Sequence, residues 1–171
     1  MLRLLKAFLD LALWRITPAQ LPASWFLLAI VSAAVALLEV MGALLPPAQT
    51  ERLLMRVVLS VALPIGFSWA VLSVTRHRQR FLQTAIALLG IGVLARLALS
   101  PLDSVLEAIG VDHPAAIPLA LLSIVGLVWY LLACAHIWRA ALESGLILGI
   151  AISGGYIVLS VVLAKFFLRI P

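Results

Sequence analysis

The sequence predicts an all-α protein, a polytopic membrane helix bundle. Five transmembrane helices are preceded by an N-terminal interfacial amphipathic helix, all in a single transmembrane domain, 1–171. Three observations predict it. Of the 171 residues 65% are apolar, against about 45–50% in a soluble globular protein, and a chain of this size has too little interior to hide that surface from water. The apolar residues come in five runs, each close to the roughly 17–25 residues that a spanning helix needs. The charged residues, only 11% of the chain, gather mostly in the gaps between those runs.

The first element is the helix expected over 2–16. At 100° per residue Arg3, Lys6, Asp10 and Trp14 fall on one stripe, while Leu, Ala and Phe cover the remainder. Lys6 and Asp10 are spaced for an i,i+4 pair, and such a pattern suits a helix lying at the membrane surface. Asp10 breaks the apolar stretch and no A-x-A site comes after it, so this segment is not expected to be a cleaved signal peptide. Pro18 and Pro22 punctuate the connection to the first span.

The first span covers about 25–45 and ends at Pro46-Pro47. The second covers about 57–74, with Pro64 and Gly66 marking an expected kink. The third covers about 81–99 and is expected to stop before Ser100-Pro101. The fourth covers about 115–138 and the fifth about 144–164.

Charge placement gives the orientation. The gap after the second span carries Arg76, Arg78 and Arg80, whereas the gap after the third carries Asp103, Glu107 and Asp112 and no Lys or Arg. Basic residues stay on the cytoplasmic side, so the triplet acts as a topology anchor, with lipid-phosphate contact as the alternative. Arg3, Lys6, Arg15, the triplet and Arg139 then lie inside, and Arg52, Arg56, Lys165 and Arg169 outside. That is a bias of seven to four. The N-terminus is cytoplasmic and the C-terminus outside, in what the Leu/Ala-rich spans suggest is a bacterial cytoplasmic (inner) membrane. The net charge of +5 therefore points to anionic lipid headgroups and not to nucleic acid.

Two ionisable residues fall inside the spans, where they are costly. Glu39 and Arg96 reach similar depth, about 6–9 Å below the outer ends of the first and third helices at 1.5 Å per residue. They can form an ion pair, either structural or part of a proton or substrate relay, with Arg56 as a competing partner for Glu39. Ser60, Ser68, Ser123 and Ser153 are scattered over the spans and define no polar stripe. A helix-packing face is expected in the fifth span, where Ala141, Gly145, Gly149 and Ser153 recur every fourth residue. Small side chains let a neighbouring helix approach closely, within the molecule, in a homodimer or against another membrane protein. Tyr156, beside that face, needs a hydrogen-bond partner.

Other chemistry finds no support. Cys134 is the single cysteine, which excludes an internal disulfide and a thiolate cage. His77 and His136 are expected at the same membrane edge, as ordinary interfacial histidines and not haem ligands. Asp103, Glu107, Asp112 and His113 lack metal-loop spacing, and the nucleophile-elbow, zinc-protease, P-loop and dinucleotide fingerprints are absent from the sequence. Neither cofactor nor metal is expected.

The segment Trp14-Arg15-Ile16-Thr17-Pro18, leading from the interfacial helix into the first span, and Gly155-Tyr156 in a late span are similar to features of the Yip family. These are the Ypt/Rab-interacting membrane proteins and their bacterial relatives, with five closely spaced spans, which the chain resembles over most of its length. The Asp-Leu-Tyr-Gly-Pro motif and long cytosolic tail of the eukaryotic members are absent, so GTPase binding is not carried over. The resemblance implies a non-enzymatic integral membrane protein that organises or assembles membranes through lipid or protein contacts. The alternatives are an accessory subunit of an inner-membrane transport or secretion complex, and a small transporter using Glu39 as a proton-carrying carboxylate.

Overall fold

A computed structural model describes residues 2–44, 52–110 and 113–168. The Pro46-Pro47 pair, Asp112, Arg169 and the side chain of Arg3 lie outside the described residues. The helices are α1 (Leu2–Ala12), α2 (Trp25–Leu44), α3 (Leu53–Val74), α4 (Phe81–Ile109), α5 (Ala116–Ala141) and α6 (Leu146–Leu168). Short 3-10 turns occupy Pro18–Gln20 and Arg78–Arg80. Helices α2 to α6 are each long and apolar enough to cross a membrane, and no strand occurs among the described residues.

Helix α4 is the central one. Its residues Thr84 to Ile91 are all buried, so at that level it is enclosed on every side. Ala133 to Trp138 of α5 form a second such stretch. Leu27, Leu28 and Val31 of α2 and Ser68 and Leu72 of α3 are buried beside them. These residues share one end of the bundle, the end that carries Arg80. Toward the other end fewer side chains are buried, and most of the large side chains of α5 between Ile117 and Val128 are exposed, although α4 and α5 still touch where Leu99 reaches Gly126. The bundle is tight at the Arg80 end and looser at the opposite one.

Helix α1 packs along α4 and runs antiparallel to it. Phe8 lies so close to Gly90 that a Cβ there would stand 2.2 Å from the ring, and Leu4 and Phe8 line a groove with Val93 and Leu94. Gly90 is about 14 Å along α4 from Phe81 at 1.5 Å per residue. The helix ends at Ala12, four residues before the expected limit, and Asp10 pairs with Arg15 at 3.5 Å where a Lys6 pair was expected. Trp14 stands in the left-handed region with φ 62°. The Arg15 N–H bonds to Asp10 O and that of Trp14 to Leu11 O, which is the closing pattern of a Schellman cap.

The same cap closes α3, with Arg76 at φ 60° and N–H bonds from His77 to Leu72 O and from Arg76 to Ser73 O. In the α5–α6 turn Glu143 stands at φ 50°, and Ser144 N–H reaches Arg139 O. Left-handed backbone costs an L-residue about 1 kcal/mol, so three helices end at this face on residues other than the glycine that would relieve it. Gly110, at φ 76°, fills that role at the far end of α4.

Two further expectations fail for identifiable reasons. Helix α4 does not stop before Ser100-Pro101 but continues through Pro101 to Ile109. Leu102, Leu106 and Ile109 are half-buried at i, i+4 and i+7, an apolar stripe that keeps the turns after the proline docked. The ladder of small residues is not one helix face. Ala141 closes α5 and Gly145 lies in the turn, leaving only Gly149 and Ser153 on α6. Four-residue spacing reads as helical in sequence, but Glu143 breaks the helix between them. Pro64 sits buried inside an unbroken α3.

A polar cavity among the spans as candidate functional site

Where the bundle loosens, five helices enclose a half-open cavity of about 280 Å3. Its charged lining is Glu39 of α2, Arg56 of α3 and Arg96 of α4. Tyr130 of α5 and Tyr156 of α6 contribute phenols, and Ser60 and Ser160 hydroxyls. One turn of helix relates Arg56 to Ser60 and Tyr156 to Ser160, so each pair points the same way. Phe67 of α3 packs against Tyr156 at 5.4 Å and against Trp138 at 5.7 Å between ring centroids. That aromatic layer lies toward the tightly packed end.

The structure brings Glu39 and Arg96 together: Arg96 Nη1 donates to Glu39 Oε1 and joins α4 to α2. The Glu39 side chain is only 11% exposed and that of Arg96 is 39% exposed. The carboxylate is therefore largely enclosed by the pair, while the guanidinium, with five N–H donors, keeps part of its surface on the cavity. Ser60 Oγ donates to Val57 O at 3.1 Å and Ser160 Oγ to Tyr156 O at 2.6 Å. Both hydroxyls are anchored to their own helices with an oxygen left to accept. The Tyr130 and Tyr156 phenols and the Cys134 thiol are neighbours. Ser60, one of the serines that look scattered in sequence, thus belongs to a polar cluster.

The small-residue positions serve packing inside the molecule. A Cβ on Gly149 would stand 2.4 Å from Ala135 O, so α6 rests on the backbone of α5 there. Ser153 is fully buried, and its Oγ has no hydrogen-bond partner. Nothing lies within 4 Å of a Cβ on Gly145.

The arginine triplet divides. Arg76 and Arg78 are exposed. Arg80 reaches across to the end of α5, donating from Nη1 to Ala140 O at 2.9 Å and Ala141 O at 3.3 Å, while Nη2 donates to Glu143 Oε1. A cation on the last carbonyls of a helix satisfies unpaired acceptors and complements its dipole. The hydrogen bond from Arg80, followed by its charge and that of His77, holds the Glu143 carboxyl below the usual glutamate range. His136 is engaged locally, with Nε2 3.0 Å from Ile16 O and its ring stacked on Trp14.

The sequence pairs Glu39 with Arg96 or Arg56 but leaves Ser60 and Tyr156 apart from them, and the structure brings all five to one cavity. Tyr130 and Ser160 were missed. The available signal was the repetition of polar residues at i,i+4, Arg56 with Ser60 and Tyr156 with Ser160, at similar depth on two helices. Comparison with protein-family models, with curated proteins and with solved structures gives no match for this chain.

Proposed function

We propose that this is a non-enzymatic integral membrane protein that organises or assembles membranes through contacts with lipids or with other membrane proteins. The observation that carries the reading is the cavity itself. Its charged pair is tied together across two helices and its serines are bonded to their own backbones. That arrangement holds a bound group in place and sets out no nucleophile beside a base. The resemblance to the Yip family over its five spans points the same way. We place the protein in a bacterial cytoplasmic membrane, with Arg76 and Arg78 anchoring the inner side.

The experiment is native mass spectrometry of the protein released gently from its own membranes. A monomer or homodimer carrying lipids supports this reading. A stoichiometric second polypeptide supports the accessory-subunit alternative, and a bare protein without lipid or partner overturns the proposal. Glu39 facing the cavity favours one second reading, a small transporter with that carboxylate carrying protons. Proton flux in proteoliposomes that disappears in Glu39→Gln would establish it, and the absence of flux in the wild type would dismiss it.

A further inference from the structure

We infer that the cavity is a binding site for an oxyanion, a phosphate-type group carried on a lipid or free in solution. The inference rests on the lipid-contact reading above and deepens it by naming the chemistry of the ligand. Arg96 is the residue that carries it. A guanidinium offers a planar fork of donors that matches the oxygens of phosphate, and Glu39 is placed on Nη1. The rest of the fork borders a cavity that the Tyr130 and Tyr156 phenols also line. The two phenols are hydrogen-bonded to each other, which leaves one hydroxyl proton for an anion, donated without a charge on the ring. Arg56 lines the same wall, and whatever else it engages, its charge disfavours a cation there.

Size and surroundings agree. The volume, about 280 Å3, lies just under the range of roughly 300–1,000 Å3 that encloses a drug-sized ligand. It suits a headgroup and leaves acyl chains outside. The cavity is half open, and the helices beside it present exposed apolar side chains, Leu54 and Val58 on α3 and Val158 and Val162 on α6. Acyl chains attached to a bound headgroup would leave through the open side, while these residues, on the opposite faces of α3 and α6 from the cavity lining, meet the surrounding lipid.

Glu39 and the ligand compete for one guanidinium. The two single variants should therefore move binding in opposite directions, which a merely structural pair would not do. The full chain in detergent is offered equal amounts of phosphatidylglycerol and phosphatidylcholine with the same acyl chains, and retained lipid is weighed by native mass spectrometry. The wild type is expected to prefer phosphatidylglycerol. Arg96→Gln should lower that preference about tenfold, the worth of one charge-assisted hydrogen bond. Glu39→Gln should raise it, and Arg139→Gln, exposed near the end of α5, should leave it unchanged. Should Arg96→Gln fail to fold, the double variant Glu39→Gln with Arg96→Gln removes both charges together and should also lose the preference.

Inorganic phosphate, titrated while the melting temperature is followed, separates the sources. Stabilisation of the wild type but not of the Arg96 variants, without a lipid preference, assigns the site to a soluble oxyanion. A preference that survives Arg96→Gln, or that falls equally in Arg139→Gln, overturns the site. Lipid retained with no headgroup preference and no response to phosphate also overturns the site, but leaves the wider lipid-contact reading standing. A wild type bare of lipid and partner overturns both.

Discussion

At the scale of single residues, two ion pairs do different work. Arg80 and Glu143 fasten the turn after α3 to the turn after α5, in reach of water. Because Glu143 is held below the usual glutamate range, its stabilising contribution is present above the ordinary glutamate pKa. That contribution disappears as pH falls through the depressed value. The melting-temperature gap between wild type and Glu143→Gln should be open at neutral pH and should close in acid. Glu39 and Arg96 join α2 to α4 at the looser end, where a charge left without its partner is costly. Glu39→Arg and Arg96→Glu should each lower the yield of folded protein, and the double swap should restore it, read by size-exclusion profiles in detergent. This pair was legible in sequence because an apolar medium leaves few residues with which a buried charge can pair. Tyr130 was not, since a tyrosine inside an apolar run does not disclose which way its hydroxyl points.

At the scale of elements, existence and order were legible and ends were not. Hydropathy locates a span, but helical hydrogen bonding continues wherever the next turn finds something to pack on. Thus α4 gains ten residues past Leu99 through the stripe at Leu102, Leu106 and Ile109. The contact between α5 and α6 is set by backbone approach at Gly149. Gly149→Ala should destabilise the protein by about 1–3 kcal/mol, because a carbonyl cannot turn aside as a side chain can. Gly145→Ala should change stability little, as no atom lies near the added methyl. Equal losses in the two variants, measured by thermal unfolding in detergent, would restore the single-ladder reading.

At the scale of the whole molecule, the sequence gives a bundle but not its taper. Apolar residues that face lipid and apolar residues that face protein are the same residue types, so hydropathy cannot say where the packing loosens. The enclosed stretches, Thr84 to Ile91 and Ala133 to Trp138, become visible only once the helices are assembled. Cys134 lies in the second of these and has no exposed surface. Its alkylation by a maleimide in native micelles should therefore track unfolding of the bundle, slow when folded and fast once the helices separate. Fast labelling under native conditions would mean that the tight end opens readily.

The antiparallel course of α1 along α4 also bears on the dipoles. Five crossings in alternating directions are an odd number, and an odd number leaves one helix dipole without an opposing neighbour. At the Arg80 end, α2, α4 and α6 present their positive ends and α3 and α5 their negative ends, each equivalent to about half an elementary charge. Helix α1 ends there too, and its negative terminus makes the count even. An eleven-residue helix too short to cross the bilayer thereby offsets a field that the five spanning helices cannot cancel among themselves.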